Sequence, residues 1–180
     1  MQSVPYKNIK KYLGKVRKCC VCGNNSEKRK NSIWAKDFYF KAIECEKCNF
    51  ISLDPCITEE GLSYYYQSNM DRRLVDKKKM QLRNIQYYSD RDFITKYVDK
   101  GKILDVGCGG GFFLSKFSKK YQKIGLDLDN KSAELGEKKF KIKIFNDVLG
   151  KDKLTKKSFD LIIFRGVIEH LYDPKKAVNR

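Results

Sequence analysis

At 180 residues the chain has room for one ordinary domain and a small appendage, and 41% hydrophobic with 13% aromatic residues supply a core and argue against wholesale disorder. Apolar runs such as Leu161–Phe164 fall far short of the ~20 residues of a membrane span, and Met1–Lys7 has no apolar segment of a secretory signal, so a cytoplasmic protein without a membrane span is expected. The net charge of +17 invites a nucleic-acid partner, but Arg supplies only 8 of the 39 basic residues, so the excess reads as a lysine-rich solvated surface rather than a bidentate grip on phosphates or bases.

In chain order, the first feature is a pair of C-x2-C turns, Cys19-Cys20-Val21-Cys22 and Cys45-Glu46-Lys47-Cys48. Four thiolates arranged as two such turns suit a tetrahedral zinc ion with no open position, which makes the site structural and not catalytic. Disulfides and a redox pair are the competing readings. The first wants an oxidising compartment, and the second a single C-x-x-C beside a βαβ unit. The expected ligands are Cys19, Cys22, Cys45 and Cys48, with Cys20 as an alternative to Cys19. A short strand pair from Ile33 to Ile43 is expected between the turns, and residues 1–57 form a zinc-ribbon-like module ending near Ser52–Pro55.

Residues 58–100 read as a helical connector. Thr58 precedes Glu59 and Glu60 as a helix start. Leu74, Leu82, Ile85, Tyr88, Phe93, Ile94 and Tyr97 make an imperfect apolar stripe over 71–98.

Residues 101–180 carry the strongest pattern. Ile103-Leu104-Asp105-Val106 is a short buried strand, the glycine-rich Gly107-Cys108-Gly109-Gly110-Gly111 follows at once, and a helix is expected over 112–117. The dinucleotide fingerprint fails at Phe112 and no Lys-Ser/Thr completes a P-loop. Asp105 would repel a pyrophosphate yet could receive an amino-bearing ligand. A second strand ends at Asp127, where doubly wound folds place a carboxylate on ribose hydroxyls. A helix over 131–140, a strand over 141–145 before Asn146-Asp147, and a strand over 159–164 complete an α/β sequence of strands and helices.

The run from Ile103 to Phe112 strongly resembles the first motif of class I S-adenosylmethionine (SAM)-dependent methyltransferases. Gly125-Leu126-Asp127, Asn146-Asp147-Val148 and Ser158–Ile163 resemble the motifs that follow it, in the family's order over 101–177. The resemblance implies a Rossmann-like sheet with strands one to four present and five to seven missing, preceded by the zinc ribbon and the connector. On that reading the chain is truncated at its C-terminal side. The implied cofactor residues are Gly107, Gly109 and Gly111 along the methionine part of SAM, with Asp105 near its amino group. Asp127 takes the ribose hydroxyls, Leu128 packs on the adenine with Asp147 and Val148, and Arg165 joins the set.

Methyl transfer is an in-line displacement, so the protein mainly aligns a nucleophile and removes its proton where required. His170 with Glu169 is the candidate base pair, although Glu169-His170-Leu171 also reads as a packing element. The cysteine module is similar to the N-terminal part of some methyltransferases of sugar and glycan pathways, which implies a small-molecule, saccharide acceptor. RNA methylation and a non-catalytic zinc-ribbon protein with a remnant SAM domain are the alternatives.

Overall fold

The computed structural model describes residues 10–15, 18–35, 38–69, 77–147, 149, 154 and 159–179. Val148 and Leu74 lie outside them. The chain divides into two compact units, one made of residues up to Ser68 with His170–Asn179, the other of Asn69–Glu169.

In the first unit β1 (Leu13–Gly14) pairs antiparallel with β5 (Cys56–Ile57). A three-stranded antiparallel sheet runs β2 (Glu27–Ala35), β3 (Phe38–Cys45), β4 (Ile51–Asp54). The hairpin is longer than the Ile33–Ile43 pair expected from sequence, and a third strand occupies the place read as the end of the module. Its residues alternate exposed and half-buried, a two-residue period too short to read with assurance in four residues. The register sets Glu27 opposite Cys45, so the end of β3 returns beside the chain that leaves Cys22. Helix α1 (Glu59–Asn69) starts where Thr58 predicts: its hydroxyl accepts from the Gly61 N–H at 3.2 Å.

The second unit holds α2 (Lys77–Ile94) and a four-stranded parallel sheet. Its strands are β6 (Gly101–Val106), β7 (Tyr121–Asp127), β8 (Lys143–Asn146) and β9 (Leu161–Ile163), with α3 (Asn130–Phe140) between β7 and β8. Spatial order is β8-β7-β6-β9, so the direction of winding reverses at β6. This is the α/β doubly wound arrangement expected from the strand pattern, and its crevice opens beyond the carboxyl end of β6.

Both faces of the sheet are covered, as a parallel sheet requires. Ile103, Phe113, Leu114, Phe117, Tyr121, Ile142 and Ile163 form one buried cluster, and Leu104, Val106, Ile124 and Leu126 another. The two-residue period of β6 thus sends Ile103 and Asp105 to one side, Leu104 and Val106 to the other.

The helix expected over 112–117 is only a 3-10 turn, Leu114–Lys116. The Ser115 hydroxyl donates to the Phe112 carbonyl at 2.7 Å and competes with regular helix. Phe113, Phe117 and Tyr121 stack edge to face at 5.3 Å each, and this ladder carries the chain straight into β7. Helix α3 is the better-formed crossover. Asp129, 7% exposed, caps it through the N–H groups of Lys131 and Ser132 and accepts from the Ser132 hydroxyl at 2.7 Å. At its other end Lys141 holds a left-handed conformation, φ 57°.

These two ends predict opposite outcomes in urea denaturation of the full chain. Asp129→Ala should cost about 1–2 kcal/mol through loss of the cap. Lys141→Gly should gain about 0.5–1 kcal/mol, because glycine carries no Cβ penalty there.

Candidate functional site

The glycine loop is fastened to the sheet before it reaches the crevice. The N–H groups of Gly107 and Cys108 donate to the Leu126 carbonyl at 2.7 and 3.2 Å, so the turn leaving β6 is anchored on β7. Gly107 has φ +70°, and a Cβ on it would collide with Val167 Cγ2, so neither conformation nor space allows another residue. A Cβ on Gly125 would collide with the Cys108 sulfur, so the bare β7 backbone there makes room for the loop. A Cβ at Gly109 would meet nothing within 4 Å: the backbone there faces open space.

Two carboxylates stand at the strand ends around this loop. Asp127, 9% exposed, accepts from the Gly109 N–H at 2.7 Å on Oδ2 and from the Asp129 N–H at 3.0 Å on Oδ1. Burial pushes its pKa up, while these N–H groups pull it back. Asn146 donates to the Asp127 carbonyl at 3.1 Å and ties the end of β8 to the same point.

Asp105 differs. It is 3% exposed and accepts no hydrogen bond from a described residue. Burial raises its pKa to about 8, opposed by the Arg165 charge and reinforced by Asp127. A buried carboxyl without a donor, next to an open backbone, fits a ligand that brings a cationic donor. Cys108 is no nucleophile at neutral pH, since burial and then the two carboxylates push its thiol far up.

Of the other residues expected here, Leu128 follows β7 and is half-buried, and Asp147 follows β8 and is half-buried. Arg165 leaves β9 and turns to α2. Its Nε donates to Asp90 Oδ2 at 2.6 Å, and its guanidinium lies 4.7 Å from the Tyr87 ring centre and 5.6 Å from that of Phe113. Asp90 and Tyr87 therefore belong to the surroundings of the site, and sequence reading missed them. Helix α2 reads as a connector, and a pairing across 75 residues leaves no local pattern. Glu169 and His170 are exposed in a 3-10 turn, Ile168–His170, and the boundary between the compact units falls between them.

In the first unit the sulfurs of Cys19, Cys22, Cys45 and Cys48 all lie within 4.8 Å of one another. Cys19 and Cys48 approach to 3.5 Å, as do Cys22 and Cys45. Four sulfurs around a tetrahedral ion at zinc–thiolate distance would be about 3.8 Å apart, so the set fits such a metal.

Both turns are built alike. Gly23 N–H donates to the Cys19 carbonyl at 2.8 Å and Asn49 N–H to the Cys45 carbonyl at 2.9 Å. Gly23 (φ 75°) and Asn49 (φ 58°) take the left-handed conformation that closes each turn. Asn24 Nδ2 donates to the Cys45 sulfur at 3.9 Å. The quartet includes Cys19 and leaves Cys20 out. Burial raises the Cys20 thiol, and Cys56 is spent on the Gly14 carbonyl at 3.2 Å.

Residues 104–180 match the family described as "Methyltransferase domain". Among curated proteins, the chain is 32% identical over 103 residues to "Ubiquinone biosynthesis O-methyltransferase" of Pelagibacter ubique, covering 52% of this chain and 43% of that protein. It is 31% identical over 99 residues to an uncharacterised protein of Methanocaldococcus jannaschii, covering 53% and 44%. The chain thus spans less than half the length of these two relatives. A solved plantazolicin methyltransferase in complex with a monoazolic desmethylPZN analog and SAH superposes with TM-score 0.49 at 18% identity, over 66% of this chain and 50% of that one.

The Asp105 carboxyl sets a pH dependence. Folded, it keeps its proton up to about pH 8, whereas an unfolded aspartate loses it near ~4. The unfolded chain then binds fewer protons across that window, and the contribution of this group to stability falls as pH rises from about 4 to 8. Asp105→Asn should therefore melt above the parent at pH 8, and the gap should close toward pH 4.5. Calorimetric scans at the two pH values check this, and a gap that does not narrow refutes the assignment.

Proposed function

We propose, from the match of residues 104–180 to the methyltransferase domain family, that the chain binds SAM beyond the carboxyl ends of β6 and β7 and serves transfer of its methyl group to a small-molecule acceptor. The observation that carries this reading is Asp105, buried and without a hydrogen-bond donor among the described residues, beside the open backbone of Gly109, with the Asp127 carboxylate already oriented nearby. Bound SAM supplies an electrophilic methyl on a sulfonium sulfur. The chain supplies alignment and electrostatics.

Asp105 receives the amino group of the methionine part. Gly107, Gly109 and Gly111 let the backbone run along it. A carboxylate has about four acceptor sites, and the two N–H groups on Asp127 leave the others for the ribose hydroxyls. Leu128, Asp147 and Val148 serve the adenine. Arg165 keeps a positive charge near Asp105 and favours its ionised form when a cationic ligand arrives. Glu169 and His170, on the turn after β9, hold the proton of a hydroxyl acceptor.

An oxygen acceptor is favoured by the name of the Pelagibacter relative. A sugar or glycan precursor is the finer proposal, resting on the resemblance of the cysteine module. The four cysteines hold a structural zinc ion.

Two measurements test the reading. Calorimetric titration with S-adenosylhomocysteine should show one site per chain, and Asp127→Ala should weaken it by about 100-fold or more, the worth of charge-assisted hydrogen bonds to two hydroxyls. No binding by the parent chain removes the proposal. In addition, SAM binding at pH 7 should release close to one proton from Asp105. The binding enthalpy should then vary with the ionisation enthalpy of the buffer, and Asp105→Asn should abolish that variation.

A further inference from the structure

Helix α4 (Pro174–Val178) follows β9 by ten residues and has no buried residue. Asp173 caps it, accepting from the Lys176 N–H at 2.9 Å, and Pro174 occupies its first turn. Isolated helices shorter than ~12–15 residues do not persist in water, because one turn fixes several residues for a single hydrogen bond. The order of α4 comes from what it touches.

Those contacts lead to the cysteine site. Lys175 Nζ donates to the Val21 carbonyl at 2.8 Å, across 154 residues of chain. Val21 stands inside the first C-x2-C turn, between Cys20 and Cys22. The Tyr172 hydroxyl lies 4.0 Å from the place a Cβ would take on Gly14, in β1. The whole of His170–Asn179 accordingly groups with the first unit, although the chain before it, through β9 and Glu169, belongs to the second.

The direction of the Val21 carbonyl is set by a turn whose flanking cysteines are both in the sulfur quartet. With a divalent ion the four thiolates carry a net charge of about −2, which attracts the Lys175 ammonium to this carbonyl. Without an ion the two turns lose the ligand bonds they share and are left to the hairpin pairing of Glu27 with Cys45 and to the Asn24 contact with the Cys45 sulfur.

We propose that metal occupancy at Cys19, Cys22, Cys45 and Cys48 orders the segment His170–Asn179, with Lys175 as the positioning residue that joins them. The inference rests on the metal reading of the four cysteines and is independent of what the second unit binds.

Hydrogen–deuterium exchange of the full chain, zinc-loaded and then stripped by a chelator under reducing conditions, tests it. The amides of Lys176, Ala177 and Asn179 report on α4, since each donates within the Asp173–Asn179 segment. Stripping should speed exchange about tenfold or more at residues 19–24, 45–50 and 176–179 alike, as one cooperative unit, while strands β6 and β7 keep their protection. Lys175→Met should speed exchange at 176–179 by about threefold or more, the worth of one hydrogen bond, with the zinc content unchanged, and Lys175→Arg should restore it.

The proposal is overturned if stripping loosens the turns but leaves 176–179 as they were, or if it also deprotects β6 and β7. It is equally overturned if Lys175→Met leaves 176–179 unchanged. A chain that binds no zinc removes the metal reading itself, and metal analysis of the purified protein separates that failure from the others.

Discussion

The backbone tie between the glycine loop and β7 is the constraint on which the candidate site depends. Two N–H groups of the loop close on one carbonyl, Leu126, and this fixes where the chain leaves β6. Gly107 has to be glycine for the turn to fit under Val167, and Gly125 has to be bare for Cys108 to lie against β7. Once the loop is seated, the Gly109 N–H falls on Asp127 and its outer side faces open space. The carboxylate at the end of one strand and the loop after its neighbour are thus organised by the same few backbone bonds.

Two acids so close to the same loop are held in different ways. Asp127 is satisfied by backbone donors and keeps free lone pairs. Asp105 has burial and a nearby acid against it and only the Arg165 charge in its favour. An apolar residue at that place would be easier to bury, so the position carries a cost in the free protein, one that a cationic ligand would relieve. The surroundings of Arg165 give α2 a part in this balance, because Asp90, Tyr87 and Phe113 set where the guanidinium lies.

The cysteine module solves a different problem by repetition. Two C-x2-C turns with a left-handed residue after the second cysteine present two sulfurs each, and a long hairpin returns one turn to the other. The short strands, the turn at Thr58 and the capped α4 are small pieces of structure for a unit of this size. A covalent-strength centre is the usual way in which such a unit is held.

Much of this was legible in the sequence. The spacing of the cysteines named the quartet, although Cys20 stayed an alternative until the sulfurs were placed. Glycines and acids at strand ends named the turn after β6 and the ends of β6 and β7, and the β-branched runs named the four parallel strands. These are features that local chemistry dictates: a metal wants ligands at short spacing, a tight turn wants glycine, and a buried strand wants Ile, Leu and Val.

The tertiary structure decided what pairs distant residues. It replaced the expected helix over 112–117 by a 3-10 turn, because aromatic stacking and the Ser115 hydroxyl outweighed helix propensity. It made Asp90 the partner of Arg165 and Val21 the partner of Lys175, and it grouped His170–Asn179 with the cysteines rather than with the sheet that precedes them. A hydrogen bond between residues far apart in the chain depends on how whole elements pack, and no short window of sequence encodes that packing.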